Sequence, residues 1–220
     1  MARVLAIGDV HAPATKVGYL EFCKSIEKKY RTTKTVFIGD IVDHHAISFH
    51  QRHPDAQGAL DEYHEAFEHV QRWRKAFPRA TVCIGNHDER IQRLAADRGI
   101  PRCYLLPYSE VYSTPKWDWV HAKSIDGVFY THGTGLGGKY PAFNAALKRA
   151  TSVVLGHVHS VANICWTAGP DRRFFGMDVG CGVDVNHTYM QYGKNMLCKP
   201  FISCGVVLDG FPYLEPMDLG

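Results

Sequence analysis

Five short apolar runs in this sequence each stop at or next to a glycine that stands beside a side chain able to bind a metal. Residues 4–7 lead into Gly8, Asp9 and His11, and residues 35–38 into Gly39, Asp40 and Asp43. Residues 80–84 lead into Gly85, Asn86, His87 and Asp88. Residues 127–130 lead into His132 and Gly133, and residues 152–155 into Gly156, His157 and His159. The runs have strand length and β-branched content, and continuous rather than alternating hydrophobicity suits strands covered on both faces. In open α/β sheets, ligands collect outside the carboxyl ends of the strands, so five such ends can converge on one place. Glycine there permits a tight turn and close backbone approach. One such glycine-flanked strand end is ordinarily only a turn; five in one chain constrain fold and site together.

Helical patterns lie between the runs. The spacing predicts a helix over residues 13–30, with Val17, Leu20, Cys23, Ile26 and Tyr30 along one stripe. A second stripe carries Leu60, Tyr63, Phe67, Val70, Trp73 and Phe77, a short helix after His87 is stopped by Gly99 and Pro101, and a fourth covers residues 141–150. Strand–helix alternation means an α/β core. Residues 174–185 and 201–209 read as strands and turns, so a mixed or two-sheet arrangement is expected. No repeat or linker divides the 220 residues, which can bury a full core as one domain spanning 1–220.

Asp, His and Asn donors without cysteine select Mn, Fe, Zn, Ni or Mg over soft-metal or iron–sulfur sites. The chain has 13 histidines, which points to metal or acid–base chemistry. Its seven cysteines form no Cys-x-x-Cys pair, and Cys83, Cys165, Cys181 and Cys204 are expected as reduced core thiols of a cytoplasmic protein. No run approaches the roughly 18 apolar residues that span a membrane, and the run at residues 4–7 is too short for a signal peptide. The balance of 25 basic against 22 acidic residues does not by itself announce nucleic acid.

Taken in order, the blocks Asp9-x-His11, Gly39-Asp40-x-x-Asp43, Gly85-Asn86-His87-Asp88, His132 and Gly156-His157-x-His159 resemble the signature of the calcineurin-like binuclear metallophosphoesterases. The resemblance runs from Asp9 to His159, about two thirds of the chain. It implies a four-layer α/β/β/α sandwich of two mixed sheets flanked by helices, without a capping domain. It also implies that Asp9, His11, Asp40 and His159 hold one divalent ion and Asp40, Asn86, His132 and His157 a second, with Mn²⁺ the leading candidate. Two such ions can clamp a phosphoryl group and activate a hydroxide for in-line attack. With Asp9 and Asp40 as the sole carboxylates among these ligands, two dications leave the site about +2, which attracts phosphate. His87 is implied to face substrate, stabilising the transition state or protonating the leaving oxygen, with Asp43 as its orienting partner. Asp88 has two readings, a site carboxylate or a helix cap.

The protein phosphatases of this superfamily carry arginines at positions that hold His44 and Ile84 here. A bidentate arginine suits a phosphate dianion, whereas a diester offers one negative charge, so phosphodiesters are favoured. The expected function is therefore metal-dependent hydrolysis of a phosphate ester, with DNA, RNA or a nucleotide as the leading substrate class. A small-molecule phosphomonoesterase or dinucleoside-polyphosphate hydrolase is the alternative, and a non-catalytic metal-binding scaffold a third. His44 and His45 either reach the substrate or solvate their loop. His50, His53, His64, His69, His121 and His187 are read as loop, surface or structural histidines. The aromatics Tyr104, Tyr108, Tyr112, Trp117 and Trp119 fall in an expected long loop that could stack bases, act as a hydrophobic lid or form a dimer surface.

Overall fold

The computed structural model describes residues 1–49, 53–193, 195 and 197–219; His50 lies outside them. Two mixed sheets pack face to face. The first has strand order β11-β10-β1-β2-β3-β4, and the second β5-β6-β7-β9-β8. In the first sheet β1 (Arg3–Ile7), β2 (Lys34–Phe37), β3 (Ala80–Cys83) and β4 (Trp117–Val120) run parallel, β10 (Ser203–Leu208) runs antiparallel to β1, and β11 (Phe211–Pro216) turns back antiparallel to β10. In the second, β6 (Val128–Thr131), β7 (Ser152–Leu155) and β9 (Arg173–Val179) are parallel, edged by β5 (Ala122–Ile125) and β8 (Ala162–Ala168).

Strand periodicity explains why the apolar runs are continuous. Leu5 and Ile7 point into a core beneath α1 (Tyr19–Tyr30) and α2 (Ala59–Ala76), while Val4 and Ala6 point into the core between the sheets. Phe37 and Val36 divide in the same way. On the second sheet, Val153 and Leu155 face α5 (Pro141–Arg149) and Val154 faces the first sheet. Three cores thus separate four layers, in the order helix, sheet, sheet, helix. Trp73 of α2 sets its ring edge against Phe37 at 5.7 Å, fixing the helix across β2. Among the described residues, no helix is long and apolar enough to cross a membrane.

Three expectations need correction. The first helix begins at Tyr19, not residue 13. Residues 12–16 instead pair with other strand ends, with Ala12 bridging Val42 and Thr15 bridging Val183. Gly18 turns the chain at φ 85°, and Val17, expected on the buried stripe, is 85% exposed. Likewise Leu60 of the second stripe points to solvent. The aromatic segment is neither a stacking platform nor a lid. It folds into α4 (Tyr108–Val111) and β4, burying Tyr108, Tyr112 and Trp117. Trp119 stacks on Tyr108 at 5.0 Å, and the Trp117 indole N–H donates to the Phe77 carbonyl. Tyr104 alone of the five stands in solvent. All seven cysteines are free, with Cys83, Cys181 and Cys204 buried and Cys165 half-buried.

Asp178 of β9 accepts the backbone N–H of Ala142 at the start of α5, which suits a helix N-terminus. Its other oxygen is buried without a hydrogen-bond partner, and burial pushes the carboxyl up to about 7. The folded state therefore holds a proton that the unfolded state releases near pH 4. Stability from this group is full below that point and is lost as pH rises towards 7. Asp178→Asn should remove this decline and raise the melting temperature at pH 8. Recovery of ~1 kcal/mol corresponds to about 2–4 °C for a chain of this size. Thermal unfolding of both proteins from pH 4 to 8 checks it; equal slopes would refute the assignment.

Candidate metal centre

The carboxyl ends of β1, β2 and β3 in one sheet and of β6 and β7 in the other point to the same edge of the sandwich. They bring together all seven side chains expected as metal ligands. Asp9, His11, Asp40 and His132 are fully buried there. Three of the residues, His11, Asp40 and His157, take left-handed backbone conformations with φ of 48°, 47° and 69°. Side chains adopt this region reluctantly, and it turns them inward immediately after their strands. Gly85 and Gly156 are required by contact. A Cβ at Gly85 would lie 2.1 Å from Asp40 Oδ1, and one at Gly156 2.3 Å from Asp9 Oδ1.

Hydrogen bonds fix which atoms face the centre. The His157 backbone N–H donates to Asp9, and the His87 backbone N–H donates to Asp40 Oδ1 at 2.8 Å. His132 Nδ1 lies 2.8 Å from the Ile38 carbonyl, so this nitrogen donates to the backbone and Nε2 is the one turned to the centre. That Nε2 lies 2.9 Å from Asn86 Oδ1, 3.1 Å from His157 Nδ1 and 3.2 Å from Asp40 Oδ2. On the other side, His11 Nδ1 donates to Asp43 Oδ1, leaving His11 Nε2 facing His159 Nε2 at 3.1 Å and Asp40 Oδ2 at 3.6 Å. His159 Nε2 is also 3.1 Å from Asp9 Oδ2. Three groups of ligand-type side chains therefore converge, Asp9–His11–His159, Asp40–His132–His157 and His11–Asp40–His87, and Asp40 belongs to two of them. Lone pairs crowded in this way repel unless cations or protons lie between them. Oxygen and imidazole donors of this kind fit borderline and hard divalent ions.

Titration directions express the same need for positive charge. Burial raises the Asp9 and Asp40 carboxyls, but the neighbouring histidines, His132 foremost, outweigh it and leave both below the usual range. Against its own burial, His132 is pushed up to about 10, chiefly by Asp40. Burial drives His11 and His157 down, towards the neutral form that binds metals.

His87 stands beside this group with its ring 4.4 Å from that of His11. Its Nδ1 lies 2.6 Å from Asp43 Oδ1, the same oxygen that takes the His11 proton. Asp43 therefore orients two imidazoles, one in each functional group, and their hydrogen bonds hold its carboxyl low against burial. On the opposite side, Arg90 Nη2 lies 3.2 Å from His87 Nε2, and Nη1 donates to the Asp43 and His44 carbonyls at 2.7 and 3.1 Å. A guanidinium only donates, so a proton on His87 Nε2 and the Arg90 contact exclude each other. Burial lowers His87, but Asp40 and Asp43 raise it further, and the net direction is upward.

Asp88 does not follow the helix-cap reading. It does not cap α3 (Arg90–Asp97); its carboxylate accepts the N–H groups of Ile41, Val42 and Gly85, tying the loop of Asp40 to the loop of Asn86. His44 is engaged at both ring nitrogens, by the His87 carbonyl and the Tyr112 hydroxyl. His45 stacks flat on Tyr189 at 4.5 Å. Arg90 was missed as a site residue because its i+3 spacing from His87 on a short, arginine-rich helix carries no mark of its own. Glu62, missed among the acidic residues opening α2, is buried and accepts the N–H groups of His45 and Ala46, bracing the chain after Asp43. His64 and His121 are exposed, His53 and His69 are half-buried, and His187 packs edge-on against Tyr189.

A cavity of about 500 Å³ opens on the centre, where Asp40, Asn86, His87, His157 and His159 line it. Val185, Asn186, Met190, Cys198, Lys199 and Pro200 line it as well. An apolar cavity of about 320 Å³ lies behind His44, between α2 and Tyr104–Tyr112, and shares no lining residue with the first.

Among solved structures, the metallophosphoesterase of Sphaerobacter thermophilus matches with a TM-score of 0.51 at 17% identity, over 99% of this chain and 88% of that one. Vacuolar Protein Sorting 29 of Cryptosporidium parvum matches with a TM-score of 0.52 at 12% identity, over 100% and 93%. At such identities the likeness is one of fold. No curated protein sequence matches at significant similarity. Residues 2–174, however, match the calcineurin-like phosphoesterase family, and with most of the sequence inside that match the chain belongs to this family.

Proposed function

We propose that this protein hydrolyses phosphate esters at a pair of divalent cations, and phosphodiesters in preference to monoesters. The observation that carries the reading is the convergence of seven ligand-type side chains from five strand ends, with their lone pairs turned on one another beside His87. Asp9, His11, Asp40 and His159 would hold one ion, and Asp40, Asn86, His132 and His157 the other. Mn²⁺ is the proposed metal, in keeping with the oxygen and imidazole donors. Bound there, the ions would supply Lewis acidity towards a phosphoryl oxygen and a nucleophile at neutral pH.

The remaining steps belong to side chains. His87 protonates the leaving oxygen, and Asp43 holds its ring by Nδ1 so that Nε2 carries the transferable proton. Once that proton has gone, Nε2 can accept from Arg90, which stabilises the neutral ring that the step leaves behind. Asp88 keeps the Asp40 and Asn86 loops in register without touching substrate.

The diester preference is supported by where positive side chains lie. At the two positions where the family's protein phosphatases carry arginine, His44 is engaged by protein partners and Ile84 is packed in the core. Arg90 is buried and bonds backbone carbonyls. None of the three lines the cavity as a fork for a dianion. Nucleotides or nucleic acid are the proposed substrate class, with the buried state of the aromatic segment favouring short substrates over a stacked single strand.

Hydrolysis of bis(p-nitrophenyl) phosphate with Mn²⁺ should exceed that of p-nitrophenyl phosphate at least tenfold in kcat/KM. Faster monoester cleavage would transfer the reading to small phosphometabolites. His87→Ala should lose about 10²–10⁴-fold in kcat while elemental analysis still finds two metals per chain; metal loss in that variant would move His87 into the ligand set. Asp43→Asn should lower both turnover and metal affinity, the latter by about 10–100-fold, because it orients His11 as well as His87. Normal metal affinity in that variant would limit Asp43 to His87. A metal-loaded protein inert to every phosphate ester would support the scaffold reading instead.

A further inference from the structure

The cavity at the centre has a second wall that the family match does not reach. That match ends at residue 174, whereas Val185, Asn186, Met190, Cys198, Lys199 and Pro200 line the cavity together with the strand-end residues. The wall is built into the protein rather than draped over it. The Asp184 N–H donates to the Ala14 carbonyl, and the Phe201 N–H donates to the carbonyl of His159 itself, each at 2.8 Å. Tyr189 is buried, stacked on His45 and bonded through its hydroxyl to Gln57. Met190 is buried beside it.

Its chemistry differs from that of the strand ends. Val185, Met190 and Pro200 offer an apolar face, Asn186 an amide and Lys199 an ammonium. Two dications set against the carboxylates of Asp9 and Asp40 would already leave about +2 for the scissile phosphate. Lys199 is a further cation among the lining residues and lies outside the set of residues placed at the ions, where it can serve a part of the substrate other than the reacting phosphorus. The volume, about 500 Å³, lies in the range of roughly 300–1,000 Å³ that holds one small organic molecule.

We propose that this wall is a subsite for the organic arm of a small phosphodiester, and that Lys199 selects arms carrying a second anionic group, as in a nucleoside with a further phosphate. The proposal rests on the phosphodiesterase reading above and names its substrate class. The apolar face takes the nucleoside by contact, and Lys199 pairs with the distal phosphate at the open side of the cavity.

Thymidine 5′-(p-nitrophenyl phosphate) with and without a 3′-phosphate provides the test, since the pair differs only in the second anion. With Mn²⁺-loaded protein, the ratio of kcat/KM should favour the 3′-phosphorylated ester by about three- to tenfold, the size of one partly screened charge pair. Lys199→Ala should bring the ratio near one, Lys199→Glu should invert it and Lys199→Arg should keep it. Raising salt from 50 to 500 mM should shrink the ratio of the parent protein. A parent ratio of one, or a ratio that all three variants leave alone, overturns the subsite. Should no ester be cleaved, calorimetric binding of thymidine 3′,5′-bisphosphate against thymidine 5′-phosphate reads the same preference in the same variants. A Lys199-dependent preference in an inactive protein keeps the subsite and refutes the diesterase reading. An active protein indifferent to Lys199 does the reverse.

Discussion

Three carboxylates, Asp9, Asp40 and Asp43, are buried where the two sheets meet, and the rest of the structure follows from keeping them charged. An isolated buried carboxylate costs several kcal/mol even after the protein relaxes, so each must be compensated at close range. Backbone N–H groups of His157 and His87 serve Asp9 and Asp40, and two imidazole N–H groups serve Asp43. What remains is one oxygen on each of Asp9 and Asp40, turned towards histidine nitrogens, and Asp43 Oδ2, which is buried without a hydrogen-bond partner. The glycines follow from the same demand, because a carboxylate oxygen lies where the Cβ of residue 85 or 156 would be. So do the left-handed conformations at His11, Asp40 and His157, each costing ~1–3 kcal/mol and tolerable only where neighbours dictate the geometry.

This is also why the centre was legible in the sequence. A strand end that must turn sharply and present an inward ligand leaves few choices of residue, and Gly-Asp, Gly-Asn-His and Gly-His-x-His record those choices directly. The four-layer arrangement was legible for a related reason, since only strands covered on both faces read as unbroken apolar runs. The edges were not. In β4, Trp117 and Trp119 alternate with Asp118 and Val120, and the bounding prolines suggested a loop; whether such aromatics are buried depends on Phe77 and Tyr112, which local sequence does not place. The start of α1 escaped for an opposite reason. Val17 fits the helical stripe, but residues 12–16 are drawn into pairing with Val42 and Val183, and Gly18 provides the break.

Arg90 and Glu62 mark another limit of local pattern. Both are charged residues on helices rich in charge, and both act on backbone atoms of the loop after Asp43. Glu62 takes two N–H groups and Arg90 gives to two carbonyls, so the loop is gripped from both sides by groups of opposite sign. Backbone recognition of this kind leaves no residue pattern at the recognised positions. It appears only when α2 and α3 have been packed against the loop.

The second wall of the cavity has a topological origin. β9 runs parallel to β7, so it ends at the same edge of the sandwich as His157 and His159. β10 runs antiparallel to β1, so it begins at the edge where β1 delivers Asp9. The connection from Val179 to Ser203 must therefore start and finish beside Asp9, His157 and His159. Val185, Asn186, Met190, Cys198, Lys199 and Pro200 of this connection accordingly line the cavity. Cys181 shows how near this is, bridging Asp9 on one side and Ile202 on the other. The strand ends are restricted by the ligand geometry they must deliver. The connection is held at its two ends and at Tyr189, where the ring stacks on His45. The strand ends and the connection thus answer to different demands, the first to the close packing of Asp9, Asp40 and the histidines, the second to the closure of the two sheets.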